Sequence, residues 1–424
     1  MIKKYISREI PVSEILARTD AAKSGVEETV SAIIADVRAN GDAALYRYAE
    51  KFDKVSLNSL EVTEGEIEAA FSAMDPEFIA VLREAAENIE AFHRRQVRNN
   101  FIINDRDGVV LGQKITPIDK VGLYVPGGTA PLPSSVLMNC IPAKIAGVPN
   151  IVMMTPPARD GSVNPAILAA AKIGGVTKIY KSGGAQAIAA LAYGTETVMA
   201  VDKIVGPGNA FVAEAKKQVF GKVSIDMIAG PSEILVIADG TCDARVVAAD
   251  MLSQAEHDKM ASAILVTDSE ALADAVSAEL ERQIPLLPRA DIARTSIDAN
   301  GKIIITETLD EAIDISNEIA PEHLEVMVDD PFAYLSKVKN AGSIFLGKNC
   351  PEALGDYFAG TNHVLPTSGT AKFSSPLSVD DYIKKSSFIY YTKDALGEVA
   401  DKVHLFASKE QLGAHAESAV VRFK

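Results

Sequence analysis

The chain has 424 residues, enough for two or three domains, and its 48% hydrophobic content belongs to a folded globular protein and not to a disordered one. Lys and Arg total 42 against 57 Asp and Glu, and the net charge of −15 repels phosphate backbones and anionic lipid. Nucleic acid and membrane surfaces are thereby disfavoured as partners, and a cationic small molecule is favoured.

Within residues 1–24 charges interrupt the apolar residues, so there is no signal-peptide core, and the stretch reads as an arm that packs on a partner. Residues 26–52 and 64–98 carry apolar side chains at three- and four-residue spacing, which predicts two long helices with a break at Asp75-Pro76. His93, in the run His93-Arg94-Arg95-Gln96, reads as part of a solvated helix face. From residue 118 onward short apolar runs alternate with helical ones. Strands are predicted at 121–125, 151–154, 178–180 and 203–205, with helices at 134–145, 164–173 and 185–193 between them. A second set of strands falls at 234–237, 263–266, 303–306, 324–328 and 343–346, and the segment 361–376 links it to a polar helical tail at 394–424.

This alternation predicts an α/β protein: two incomplete, Rossmann-like, mostly parallel domains with a cleft between them, an N-terminal helical arm and a C-terminal helical tail. The expected bounds are 1–24 for the arm, 25–118 with 233–377 for a discontinuous first α/β domain, 119–232 for the second, and 378–424 for the tail. Residues 125–143 are uncharged, but their prolines and glycines exclude a membrane helix. Cys140, Cys242 and Cys350 form neither a disulfide framework nor a CxxC pair, which fits a reducing cytoplasm.

Four glycine-rich turns, at 125–128, 182–184, 206–209 and 229–232, are read as lying at the carboxyl ends of strands, where α/β proteins place ligands. Singly, each is equally a tight turn. The G-x-G-x-x-G fingerprint is absent, and the stretch 342–349 fails as a P-loop because its middle is a strand and Asn349 stands where Ser or Thr holds magnesium.

The side-chain donors carry more. Gln254 and His257 leave one helix face at i and i+3, which is half of a metal site. Glu322 and His323 precede a strand, where their side chains diverge unless the backbone at Pro321 is irregular; they offer a carboxylate and an imidazole base, yet spacing alone reads them as a surface turn. Asp356 serves as well for a helix cap as for a metal ligand. His363 is a loop histidine of open role, His404 reads as a core residue, and His415 shares the tail with Glu410. Spacing does not decide whether Gln254, His257, Asp356 and His415 share one ion.

Six blocks in register resemble the L-histidinol dehydrogenase family: Gly-Leu-Tyr-Val-Pro-Gly-Gly (122–128), Gly-Gly-Ala-Gln-Ala (183–187), Val-Gly-Pro-Gly-Asn (205–209), Ala-Gly-Pro-Ser-Glu (229–233), Ser-Gln-Ala-Glu-His (253–257) and Ala-Pro-Glu-His-Leu (320–324). The resemblance implies an NAD-dependent, zinc-containing dehydrogenase that oxidises L-histidinol through the aldehyde to L-histidine at the end of histidine biosynthesis. It implies zinc held by Gln254, His257, Asp356 and His415, all four also near the substrate, and NAD contacted by Tyr124, Gln186 and Asn209 of the 119–232 domain. Ser232, His323 and Glu410 would contact the substrate, and Glu322 and His323 would be the catalytic bases. It further implies a homodimer in which a swapped tail carries Glu410 and His415 into the partner's site. The residues alone also allow a zinc hydrolase in which Glu322 activates water.

Overall fold

The structure, a computed structural model, describes residues 2–9, 11, 25–127 and 131–424. Most of the expected arm, and Gly128 of the 125–128 turn, lie outside the described residues. Two compact units divide the chain, Met1–Gln96 with Asp119–Tyr382, and Val97–Ile118 with Ile383–Lys424.

Among the described residues the larger unit begins with β1 (Lys3–Ile6) and the helices Val26–Tyr48, Glu64–Ala73 and Pro76–His93. Pro76 explains the break predicted beside it. It occupies the first turn of its helix, where no amide is needed, and the Asp75 carboxylate caps the Glu77 N–H at 2.9 Å. The preceding helix opens on a reciprocal cap between Thr63 and Glu66.

In the smaller unit β2 (Phe101–Arg106) and β3 (Val109–Pro117) form an antiparallel hairpin that the sequence reading passed over. The main run of strands follows in the larger unit: β4 (Lys120–Tyr124), β5 (Asn150–Thr155), β6 (Lys178–Lys181), β7 (Lys203–Val205) and β8 (Ser224–Ile225). They pair in parallel in the order β6-β5-β4-β7-β8. Then β9 (Glu233–Ala238), β10 (Ser262–Thr267), β11 (Lys302–Ile305), β12 (His323–Met327) and β13 (Ser343–Leu346) join β1 in a six-stranded parallel sheet, ordered β1-β11-β10-β9-β12-β13. β14 (Ile383–Tyr391) returns to the smaller unit and pairs antiparallel with β3; helices Lys393–Lys409 and Gly413–Val420 complete that unit.

Both parallel sheets share one logic. Leaving aside β1, which adds to the edge of the six-stranded sheet, the first strand of each run (β4, β9) lies inside, the next two run outward on one side, and the fourth crosses to the other, so the strand order reverses at β4/β7 and at β9/β12. Every residue of β9 and β10 is buried, as expected of strands covered by helices on both faces.

Three expectations are corrected. β1 does not wait for a partner subunit; it pairs with β11, Lys3 opposite Lys302. Helix Val26–Tyr48 was grouped with the 233–377 sheet but packs on the five-stranded one, its Val30, Ile33, Val37 and Leu45 sharing a core with Tyr124, Met154 and Tyr180. Each such aliphatic side chain removed from water contributes about 1.5–3 kcal/mol, which fixes the helix there whatever follows it in sequence. Residues 97–118 belong with the tail, because the β2–β3 hairpin finds its third strand in β14.

Candidate active site

The helix Ala244–Ala255 follows β9, is capped by Asp243, and runs antiparallel to the strands, so its carboxyl end returns to the amino edge of the six-stranded sheet. That end carries Gln254 and, one residue past the cap, His257. Ser232 precedes β9, and Glu322 and His323 open β12, so all of them meet at the same edge. The 229–232 turn is therefore at the amino end of a strand, contrary to its expected place. A helix carboxyl terminus presents unpaired carbonyls and negative potential, which suits a cation better than a phosphate.

A cavity of about 160 Å³ lies here, lined on one side by Ser232, Gln254, His257, Glu322, His323 and Asp356. Gly206, Pro207, Asp226 and Met227, which follow strands β7 and β8 of the five-stranded sheet, line the other. His363, Val364, Leu365 and Thr367 also line it, so the 361–376 segment forms part of the site as well as a link.

Glu322 and His323 are not a surface turn; they are 7% and 3% exposed. The irregularity that lets both side chains enter is Ala320, held at φ 52, ψ 63 as the left-handed end of helix Leu309–Ile319. A non-glycine residue there costs on the order of 1–3 kcal/mol, strain of a kind concentrated at working sites. Glu322 Oε2 accepts the Glu233 N–H at 2.8 Å and lies 3.7 Å from His323 Nδ1. His323 Nδ1 is 2.9 Å from the Glu233 carbonyl, which can only accept, so this nitrogen carries the proton; the Gln254 amide lies 3.1 Å away on the same side. In the neutral ring the lone pair is then on Nε2, which faces Asp356 Oδ1 at 3.7 Å and Glu352 Oε1 at 3.9 Å.

Burial pushes the Glu322 carboxyl up to about 7, against the opposing pull of His323. Burial alone would discharge His323, but the negative charges of Glu322, Asp356 and Glu352 outweigh it and raise the imidazole to about 10. Asp356 is opposed by burial too, yet His323 and His363 hold its carboxyl down at about 2. His257, close to Asp356, is lowered chiefly by burial.

Three residues in or behind this site escaped the sequence reading. Glu352 is 2% exposed, accepts from Ser253 Oγ at 2.9 Å, and stands one turn before Asp356 on helix Glu352–Tyr357. The i, i+4 spacing of two acids was the available signal. Behind it Glu325 takes the Glu352 N–H at 2.8 Å; burial and the neighbouring Asp250 push Glu325 up to about 9, and burial lifts Asp250 to about 6. These came together only through the sheet. His363, whose role was open, is held by two contacts: Nδ1 lies 3.0 Å from the Asp356 carbonyl and Nε2 lies 3.3 Å from Ser135 Oγ.

Other positions fall elsewhere. His93 is fully buried, bonding the Ile89 carbonyl at 2.8 Å, because it faces the core side of its helix and not the solvent side. His404, expected in a core, is 43% exposed beside Glu417. Glu410 and His415 are exposed residues of the smaller unit. Tyr124 ends β4 and its hydroxyl accepts the Gly184 N–H at 3.0 Å; Gln186 is buried in the first turn of helix Gly184–Tyr193; Asn209 caps helix Ala210–Val219 through the Phe211 and Val212 amides. These three stand at carboxyl ends around the β4/β7 reversal.

The donors fit a borderline divalent cation. Gln254 Oε1, His323 Nε2 and Glu352 Oε1 are buried polar atoms without a hydrogen-bond partner among the described residues, and one ligand atom each from His323, Glu352 and Asp356 lies within 4.8 Å of the others. The carboxyl ends of the five-stranded sheet fit a dinucleotide: helix Gly184–Tyr193, after β6, begins on Gly183 with no side chain of its own as cap, and among the described residues only its Gly184 N–H is taken by a side chain, the Tyr124 hydroxyl. Among the described residues no helix is long and apolar enough to cross a membrane.

Residues 16–423 match the family model described as Histidinol dehydrogenase. The histidinol dehydrogenase of Clostridium acetobutylicum is 58% identical over 397 residues, 94% of this chain and 92% of that protein. That of Geobacillus kaustophilus is 58% identical over 405 residues, 95% and 96% of the two chains. The crystal structure of histidinol dehydrogenase from Elizabethkingia anophelis superposes with a TM-score of 0.95 at 40% identity, covering 100% of this chain and 98% of that one. The chain belongs to the histidinol dehydrogenase family.

Proposed function

We propose that this protein is an NAD-dependent, zinc-containing oxidoreductase that converts L-histidinol through L-histidinaldehyde to L-histidine, in two successive two-electron steps that end histidine biosynthesis in the cytoplasm. The observation that carries the reading is the buried Glu322–His323 pair in a cavity walled by carboxylates and bordered by the glycine turn at the β4/β7 reversal. Acid side chains suit a substrate bearing an imidazole and an amine, and the reversal suits a dinucleotide.

Gln254, His257 and Asp356 would hold zinc, with His415 of the partner subunit as fourth ligand. Bound zinc would orient the nitrogens of the substrate, and the nicotinamide would accept each hydride. Tyr124, Gln186 and Asn209 would contact NAD; Ser232, His323 and the partner's Glu410 would contact the substrate.

In the first oxidation His323 Nε2 takes the alcohol proton as the carbon loses hydride. That requires a neutral ring. The Glu233 carbonyl keeps the ring proton on Nδ1, so in that ring the lone pair that takes the alcohol proton is on Nε2. In the second oxidation the Glu322 carboxylate removes a proton from water as its oxygen attacks the aldehyde carbon, and the hydrate then loses the second hydride. A carboxyl raised to about 7 is well matched to that task. Burial around the pair keeps the aldehyde from solvent between the steps. A hydrolase would employ Glu322 similarly but leaves the nucleotide-like edge without a use.

The test is the stoichiometry of purified, zinc-loaded protein with L-histidinol and NAD. Two NADH per histidinol, with histidine as product, are expected; one NADH with release of aldehyde, or none, contradicts the proposal.

A further inference from the structure

A buried ion pair stands where the nucleotide edge meets the cavity. Lys216, on helix Ala210–Val219, and Asp226, just after β8, are 2% and 1% exposed at their side chains and bond one another. Together they grip both backbone poles of Gly206. The Lys216 ammonium donates to the Gly206 carbonyl at 3.0 Å, and Asp226 Oδ2 accepts the Gly206 N–H at 2.7 Å. Asp226 Oδ1 also takes the Met227 N–H at 2.6 Å, tying the turn after β7 to the turn after β8.

Gly206 has no freedom to spare. At φ +117 it lies so close to β4 that an added Cβ would stand 2.1 Å from the Tyr124 carbonyl oxygen. The stretch it opens ends at Asn209, so the proposed NAD contacts Tyr124 and Asn209 both depend on where this glycine sits. Gly206, Pro207, Asp226 and Met227 meanwhile form one wall of the cavity. A buried ion pair holds no general advantage in stability over an apolar pair of the same volume, but it fixes geometry that an apolar pair leaves loose.

We propose that Lys216 and Asp226 are positioning residues that set the Gly206–Asn209 turn for NAD, holding the nucleotide edge at a fixed distance from the proton-transferring pair. This rests on the NAD reading above. The buried side chains of the pair act through the backbone of Gly206.

The experiment measures NAD dissociation constants by calorimetry on zinc-loaded protein, with steady-state kinetics beside them. The double variant Lys216→Met/Asp226→Leu removes both charges and keeps the volume. It is expected to melt near the parent, retain its zinc, and bind NAD about tenfold or more weakly, the loss falling on KM for NAD more than on kcat. NAD affinity within twofold of the parent in a folded double variant overturns the proposal. Should that variant fail to fold, Asp226→Asn, which loses only part of the grip on Gly206, supplies the same reading: weakened NAD binding supports the role and unchanged binding refutes it. If the parent itself does not bind NAD, it is the cofactor assignment that fails.

Discussion

Gly342 lies beside Glu322 on the neighbouring strand's lead-in: a Cβ on it would stand 2.5 Å from the Glu322 carbonyl oxygen, and the Gly342 N–H already bonds the Pro321 carbonyl at 2.9 Å. The obstacle is backbone, which cannot swing aside. Gly342→Ala is therefore expected to push the strained Ala320–His323 corner outward. It should cost about 1–3 kcal/mol of stability and lower kcat by a larger factor than any control variant of equal melting temperature. Calorimetry and initial rates on the same preparation check it; full activity despite the lost stability would mean the corner is not held by this contact.

Replacing Glu322 by Gln separates the two oxidations. The amide still reaches the Glu233 N–H but cannot accept a proton from water, so aldehyde oxidation is expected to slow by about 10²- to 10⁴-fold and alcohol oxidation by less. Single-turnover runs started from histidinol and from histidinaldehyde give the two rates, and equal losses in both contradict the division of roles.

The same carboxyl sets a pH limb. Only ionised Glu322 is a base, and its proton leaves at about 7, so the rate of aldehyde oxidation should fall as pH drops through 7. The limb should be missing in the Gln variant. A profile that retains it there assigns the titration to another group.

Glu325 offers a test in stability instead of rate. Its folded value, about 9, exceeds the unfolded one near 4.5, so the native state holds a proton that the unfolded chain releases. Stability is thus eroded progressively from pH 4.5 upward, levelling off above 9. Glu325→Gln is neutral in both states and can still accept the Glu352 N–H. Its melting temperature relative to the parent should rise across that window, by an amount worth on the order of a few kcal/mol at pH 8. A constant difference with pH would show that the group is ionised in the native protein.

His415→Asn is expected to lower zinc content, and so is Gln254→Ala. If sites are shared across a dimer, mixing the two variants should restore part of the activity, because some hybrid sites carry both native residues. Absence of rescue after subunit exchange has been verified by mass would place the whole site within one chain.

The parallel strands were legible because they are continuous apolar runs between glycine and proline punctuation, and Gln254 was legible on its helix, whereas His257, expected on the same helix face, lies one residue past the cap. The hairpin at 101–117 was not: its residues Phe101, Ile102 and Ile103 are half or more exposed or nearly so, and an apolar run with no buried face carries no alternation to read. His93 was misjudged because the charged neighbours that follow it lie on the other side of the helix. Glu325 and Asp250 could not be paired from sequence, since what joins them is the adjacency of β12 and β9, a tertiary fact. The direction of the site was hidden for the same reason: glycine turns mark both ends of strands alike.

The pairing of β1 with β11 has a consequence for biosynthesis. Among the described residues, the strands and covering helices of the five-stranded sheet fall between Val26 and Ile225, so that half can consolidate while the ribosome is still making the other. Residues 3–6 must instead remain without their ladder until Lys302–Ile305 has emerged, and β11 in turn keeps a bare edge until they return. Late closure of that edge makes the nascent chain vulnerable to chaperone capture or strand-mediated aggregation, and a truncation ending before residue 302 should leave the β1 segment protease-sensitive.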